Sequence, residues 1–379
     1  MNGFLTNRNK PGRKQISFYT VLFICFIVSI LFVNHNYSFY DRPIAKVVQA
    51  NLMEETNITD PVQNKDILYK QQLVAVLQNG EEKGQSIQLV NEYSASGAFD
   101  QEYNVGNELF VLLEKDPAGT IKSPAIILDV KRDKYVVLLA WIFIFALLIV
   151  GKRQGLFAIA SFVINVLILS FALDLYVKHS AVNLLVVCGI CILLFTAISL
   201  LFVSGFTEKT YAAIVATLLG TFASLAITFA IIWLTSGNGL RYEEMQFVTR
   251  PYKIVFMGGL FIGSLGAIMD VAITMSSSLF ALYERNPDIS FQAIKKSGRE
   301  IGRDIMGTIT NILFFAYISG SIPMLILFLR NASALGYTLS MNLSLEIARA
   351  LAGGIGIVLT IPIGLYTTLF FIKRKKAGV

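Results

Sequence analysis

Runs of about twenty apolar residues, the length a helix needs to cross a bilayer, recur along this chain. They fall at 16–33, 135–150, 156–177, 181–203, 211–235, 254–280, 307–329 and 353–372 and predict eight transmembrane helices. The second run is the shortest, with Lys134 and Lys152 at its ends as snorkelling anchors. Between the first two runs the pattern changes to short apolar stretches at 73–77, 86–90, 109–114 and 125–130. Turn signals separate them: Asn79-Gly80, Lys83-Gly84, Gly97, Val105-Gly106-Asn107 and Pro117-Ala118-Gly119. This spacing predicts a small, mostly antiparallel β-barrel or sandwich, and the polar stretch 41–66 before it reads as a mobile stalk. The expected fold is an all-α polytopic membrane bundle of about eight transmembrane helices with a small extracytoplasmic β-rich domain between the first two spans. Its parts are a basic tail (1–15), a first helix (16–33), the β-rich domain with its stalk (34–134), a seven-helix membrane domain (135–372) and a second basic tail (373–379).

Composition agrees: 55% of the 379 residues are apolar, more than one soluble core absorbs. The first run follows a basic tail but is longer than the apolar core of a cleavable signal peptide, so it reads as an uncleaved signal anchor. Sixteen Lys and Arg residues fall in the tails and short segments of one side, against six in the short segments opposite, the long segment 34–134 set aside. That asymmetry places both termini in the cytoplasm, as an even number of spans requires. Residues 34–134 carry ten basic and fifteen acidic side chains, so the formal +7 of the chain belongs to its membrane part and is topological. Neither a basic stripe interleaved with aromatics nor a glycine-rich phosphate loop is present, which argues against nucleic acid as a partner and leaves the lipid bilayer. Cys25, Cys188 and Cys191 all lie within apolar runs; Cys188 and Cys191 have CxxC spacing but no basic neighbour, and read as packing residues. His35 and His179 have no companion ligands at metal-binding spacing, so neither a metal nor a cofactor is expected. With two histidines so placed, no Ser-His-Asp or Cys-His constellation forms, and an enzyme is not expected.

The candidate chemistry centres on Asp270, near the middle of an otherwise apolar run. An acid at that depth costs roughly 2.5–3.5 kcal/mol and is expected to face protein or a water-filled cavity. Gly259, Gly263, Gly266, Asp270, Thr274 and Ser277 recur at steps of three and four and share one helix face. The plainer reading makes Asp270 a hydrogen-bonded packing residue. Asp304, Thr308 and Asn311 share a face of the seventh span and either lead a polar chain toward Asp270 or tie two helices together. Asn165, Ser319, Gly320, Thr360, Pro362 and Gly364 are further polar or helix-bending candidates at membrane depth. A charged stretch from Ser290, which can cap it, reads as an amphipathic helix, either an anchor along the inner leaflet or a coupling helix that moves with the sixth and seventh spans. The stretch 345–351 reads as an interfacial helix with Glu346 and Arg349 spaced to pair.

The segment Gly263-Ser-Leu-Gly-Ala-Ile-Met-Asp270-Val-Ala-Ile-Thr-Met-Ser-Ser-Ser277, followed by Gly298-Arg-Glu-Ile-Gly302-Arg-Asp304-Ile-Met-Gly307-Thr-Ile-Thr-Asn311, resembles the YibE/F family of bacterial multi-span membrane proteins. The layout of anchor, external β domain and seven-span core is similar too. The resemblance implies a protein of the bacterial plasma membrane and suggests a transport role. A local likeness, Gly-x-x-x-Asp-x-Ala-Ile around Asp270, resembles the proton-relay helix of resistance-nodulation-division exporters and SecD/SecF subunits. It implies that Asp270 is a proton-carrying acid, although the second acid and the intramembrane lysine of the exporters are missing. The expected function is a transporter or permease-like component moving a small solute or lipid, with Asp270, Gly263, Gly266, Thr274, Ser277, Asp304, Thr308 and Asn311 coupling or gating. The alternative is a membrane scaffold or sensor whose external domain binds a partner. A chain with one pathway acid suits a homo-oligomer or a pairing with a paralogous partner.

Overall fold

The computed structural model describes residues 13–97, 100–115, 117, 121–179, 182–245 and 251–378. The chain forms two compact units, 1–149 and 150–379.

The first unit holds α1 (Arg13–His35), five strands and the start of α2 (Asp133–Lys178). Trp141 Nε1 of α2 donates to Ser29 Oγ at 2.7 Å, and Phe26 meets Trp141 and Phe145 edge-on, which joins the two helices. Strands β1 (Ile44–Thr59), β2 (Lys65–Leu77), β3 (Ser86–Ser94), β4 (Glu108–Leu112) and β5 (Ile126–Val130) form one antiparallel sheet in the order β3-β2-β1-β4-β5. Its two edges meet where Ala125 N donates to Gln88 O at 2.9 Å in a parallel bridge, so the sheet curls toward a five-stranded Greek-key barrel. Alternate residues Ala45, Val47, Leu73, Ala75, Leu77, Ile87, Leu89, Leu109 and Val111 fill its interior.

The predicted stalk is not one. Residues 44–59 are the longest strand of the sheet, paired with β2 from Ala45↔Leu77 out to Thr59↔Lys65. Only its first few residues are buried; beyond the bulge at Val48 it runs in a ribbon exposed on both faces. Backbone pairing holds that ribbon, so its side chains carry no apolar alternation to betray a strand. Of the predicted turns, Asn79-Gly80 is built with Gly80 at φ 83°, while Ala118-Gly119 lies outside the described residues.

In the second unit every predicted run is helical: the remainder of α2, α3 (Leu184–Ser204), α4 (Glu208–Leu234), α5 (Tyr252–Arg285), α6 (Phe291–Ser319), α7 (Ile322–Arg330) and α8 (Ser344–Lys376). At 46 residues α2 has about twice as many as one crossing of the ~30 Å hydrocarbon core needs. It is broken at Lys152 (φ 48°, ψ −120°) between the runs 135–150 and 156–177, so one helical segment carries two predicted spans. The seventh run is bent by 58° between α6 and α7, where Pro323 opens the second piece. Among the described residues six helices are long and apolar enough to cross a membrane, or seven with the bent pair as one.

Two expectations need correcting. The charged stretch after Ser290 is not a separate surface helix; Ser290 caps it as predicted, accepting from Ala293 N at 3.2 Å, but it runs unbroken into α6. Residues 345–351 likewise form the first turns of α8. Neither junction holds a proline, and the glycines there, Gly298 and Gly302 on α6 and Gly353 and Gly354 on α8, are packed against neighbouring helices, so the helix continues. The Glu346–Arg349 pair does form, at 2.9 Å, but it is largely shielded and Arg349 lies 5.4 Å from the Phe256 ring centroid.

Helix α8 is the hub, packed against α4, α5 and α6. Small residues allow it: a Cβ on Gly220 of α4 would collide with the Thr360 hydroxyl, and one on Gly356 with Ile268. Several buried hydroxyls bond across the helices, as where Ser224 donates to Ala352 O at 2.7 Å and Ser276 meets Thr368 at 3.0 Å.

Candidate functional site

Helix α5 turns its apolar side, including Leu260, Ile268, Val271, Met275 and Leu279, into the core of the second unit. Its opposite side is the polar stripe. Gly263, Gly266 and Asp270 are exposed, and Thr274 and Ser277 are half-buried. Hydrophobic matching to α4 and α8 orients α5, and that rotation leaves Asp270, expected to face protein or a water-filled cavity, exposed on the surface of the helical unit.

Helix α6 lies antiparallel beside it. The Tyr317 hydroxyl covers Gly263, and Leu279 reaches within 3.1 Å of a Cβ on Gly298. Interpolating between these contacts puts Asp270 level with Thr308. Asp304, Thr308 and Asn311 are exposed along α6, and among the described residues no hydrogen bond links them to one another or to Asp270. The predicted polar chain is thus a row of separate groups, and the interhelical tie is not made either. What the structure brings together is a face on two neighbouring helices bearing two carboxylates, hydroxyls and an amide. The buried Tyr317 hydroxyl, without a partner, lies at its edge.

The remaining candidates have structural roles. Asn165 Nδ2 donates to Ser199 Oγ at 2.8 Å, and Ser161 meets the same oxygen, tying α2 to α3. Thr360 and Gly364 are buried in the α4–α8 contact. Ser319 turns back on Ala316 O at 3.0 Å beside the α6–α7 bend. Cys188 and Cys191 are buried in an apolar cluster. Two grooves flank α6 on the side of α8, of about 400 and 330 Å³; neither is lined by Asp270.

A second cluster, in the first unit, escaped the sequence reading. Lys131 is 2% exposed, and its ammonium contacts Asp133 Oδ1 at 3.0 Å and Glu108 Oε2 at 3.3 Å while donating to Val33 O at 2.8 Å. Tyr37 donates to Glu108 at 2.6 Å; Tyr40 and Asn36 donate to Asp133 at 2.8 and 3.1 Å. Burial, then the Glu108 bond and the nearby carboxylate charges, push the Tyr37 hydroxyl up to about 12. Asn79 completes the joint, accepting from Ile44 N and donating to the carbonyls of Tyr37, Tyr40 and Arg42. These groups bind the end of α1, the barrel and the start of α2 into one block. Charge pairing over such sequence distances leaves no local periodic signal.

A family model described as YibE/F-like protein matches residues 139–374, and one described as YibE/F family N-terminal domain matches residues 38–129. No curated protein and no solved structure matches the chain. The two matched segments coincide with the helical part and the barrel, and together they take in most of the sequence. The chain belongs to the YibE/F family.

Proposed function

We propose that this protein is a transporter or permease-like component that moves a small solute or lipid across the plasma membrane, with Asp270 as the acid that couples or gates. The observation that carries this reading is the position of Asp270: a carboxylate without a hydrogen bond, at membrane depth, on a face it shares with Thr274, Ser277, Thr308 and Asn311. Bare lipid against that face is unfavourable by roughly 2.5–3.5 kcal/mol for the acid alone. The face therefore borders a hydrated path, and because it lies on the outside of the helical unit, a second copy or a paralogous partner supplies the other wall. In this reading α1 is an uncleaved anchor, both termini are cytoplasmic, the barrel is extracytoplasmic and the chain performs no chemistry of its own. The α6–α7 bend supports it, since discontinuous helices accompany transport sites.

A second reading, a scaffold or sensor, is favoured by one feature of the first unit. Leu52, Met53, Ile58 and Val62 are exposed on the β1–β2 ribbon and its turn, a surface suited to a protein partner. Proton flux into proteoliposomes under an imposed pH gradient separates the two. Transport predicts a flux in the wild type that Asp270→Asn loses by tenfold or more; a scaffold predicts none in either. A flux undiminished in Asp270→Asn removes Asp270 from the mechanism.

A further inference from the structure

The two grooves beside α6 adjoin at Val358, and they differ in chemistry. Arg299 and Arg303 line the first, with Met306, Ile361 and Tyr366. Val358 lines both grooves, and beyond it the second is walled by Thr310, Phe314, Leu351 and Gly354 and is almost wholly apolar. Lys295, Arg299 and Arg303, at i, i+4 and i+8, form one ridge of α6, and the Lys295 ammonium sits 4.9 Å from the ring centroid of Tyr366 on α8. Among the described residues neither arginine is engaged by a carboxylate. From Arg303 to Phe314 the helix rises about 16 Å, close to half of the ~30 Å hydrocarbon core. Gly354 lies in the wall of the apolar part, where a Cβ would meet Thr310 Cγ2 at an ordinary contact distance of 3.5 Å and a larger side chain would enter the groove.

We infer that the α6–α8 groove holds one anionic glycerophospholipid, its phosphate on Arg299 and Arg303 and an acyl chain lying from Met306 toward Phe314. A basic mouth joined to an apolar channel one leaflet deep matches that molecule. A soluble phosphate would use only the mouth, and a partner helix would meet two arginines without a carboxylate at one end. Basic pockets between transmembrane helices recognise anionic headgroups in this way. The assignment does not rest on the transport reading, and its test measures binding alone.

The experiment is native mass spectrometry of the purified full chain titrated with phosphatidylglycerol, with phosphatidylcholine of the same acyl chains, and with inorganic phosphate. Wild-type protein retains phosphatidylglycerol at least tenfold more tightly than phosphatidylcholine. Arg299→Gln/Arg303→Gln loses roughly thirtyfold in phosphatidylglycerol affinity, while Lys373→Gln/Arg374→Gln, which removes two charges from the neighbouring end of α8, retains the wild-type preference. Gly354→Leu weakens both lipids alike; if it does not fold, Leu351→Trp at the rim blocks the same channel. The assignment is overturned by equal retention of the two lipids in the wild type, or by equal losses in the two charge variants. It is also overturned if both channel-filling variants bind normally, or if inorganic phosphate binds as tightly as the lipid.

Discussion

Lys131 is the residue whose loss the first unit tolerates least. Its charge is nearly sealed from solvent and neutralises Glu108 and Asp133 at once. Lys131→Met leaves Glu108 buried without its cation, and the cost of breaking a buried pair on one side is about 3–5 kcal/mol. Urea unfolding of a Trp233→Phe background, followed through Trp141, measures it; Glu108→Gln added to Lys131→Met should recover part of the loss. Tyr37 adds a pH dependence of defined sign. Its folded pKa, about 12, lies above the ordinary 10.0, so its contribution is complete below pH 10 and disappears as pH rises through 12. Tyr37→Phe should lose a share of the wild-type stability at neutral pH and show a shallower decline across that alkaline window, read as melting temperature against pH. Of the residues in these two sites, Asp270 was legible because a lone acid in an apolar run stands out in one dimension. Lys131 was not, because apart from Asp133 the groups around it lie at 33–40 and 108, and only the fold brings them near.

At the scale of the element, the helices are held by closeness of backbones more than by bulk. Gly220 faces Thr360 with no room for a side chain, so Gly220→Leu must separate α4 from α8. Overpacking costs typically 1–3 kcal/mol, and here the buried hydroxyls of Thr217, Thr221 and Ser224 on α4 suffer with it. The expected outcome is a lowered melting temperature of the detergent-solubilised protein, while Gly259→Leu, on the open side of α5, leaves it within a degree or two of wild type. Runs of apolar residues located every helix, since length and hydropathy are local properties. They did not tell which side of α5 would face inward. The stripe of glycine and polar residues resembled a packing seam, yet the seam was taken by the larger apolar face opposite. The same limit hid β1, whose outer half is held by backbone bonds that leave no mark on composition.

Across the whole molecule, the division into an anchored barrel and a helical unit was legible from the change in apolar run length alone, and the two family matches fall on the same division. What the pattern could not supply was the order of assembly, and that follows from the place of α8. The small, hydroxyl-rich side of α4 is closed chiefly by a helix that begins about a hundred residues later in the chain. At a synthesis rate of about 5–20 residues per second, α4 waits in the bilayer on the order of ten seconds with that side uncovered. During this interval its seryl and threonyl groups are presented to the insertion machinery and to membrane proteases. A lesion in α8 would prolong that exposure indefinitely, so it would be felt as degradation of the entire helical unit rather than as a local defect.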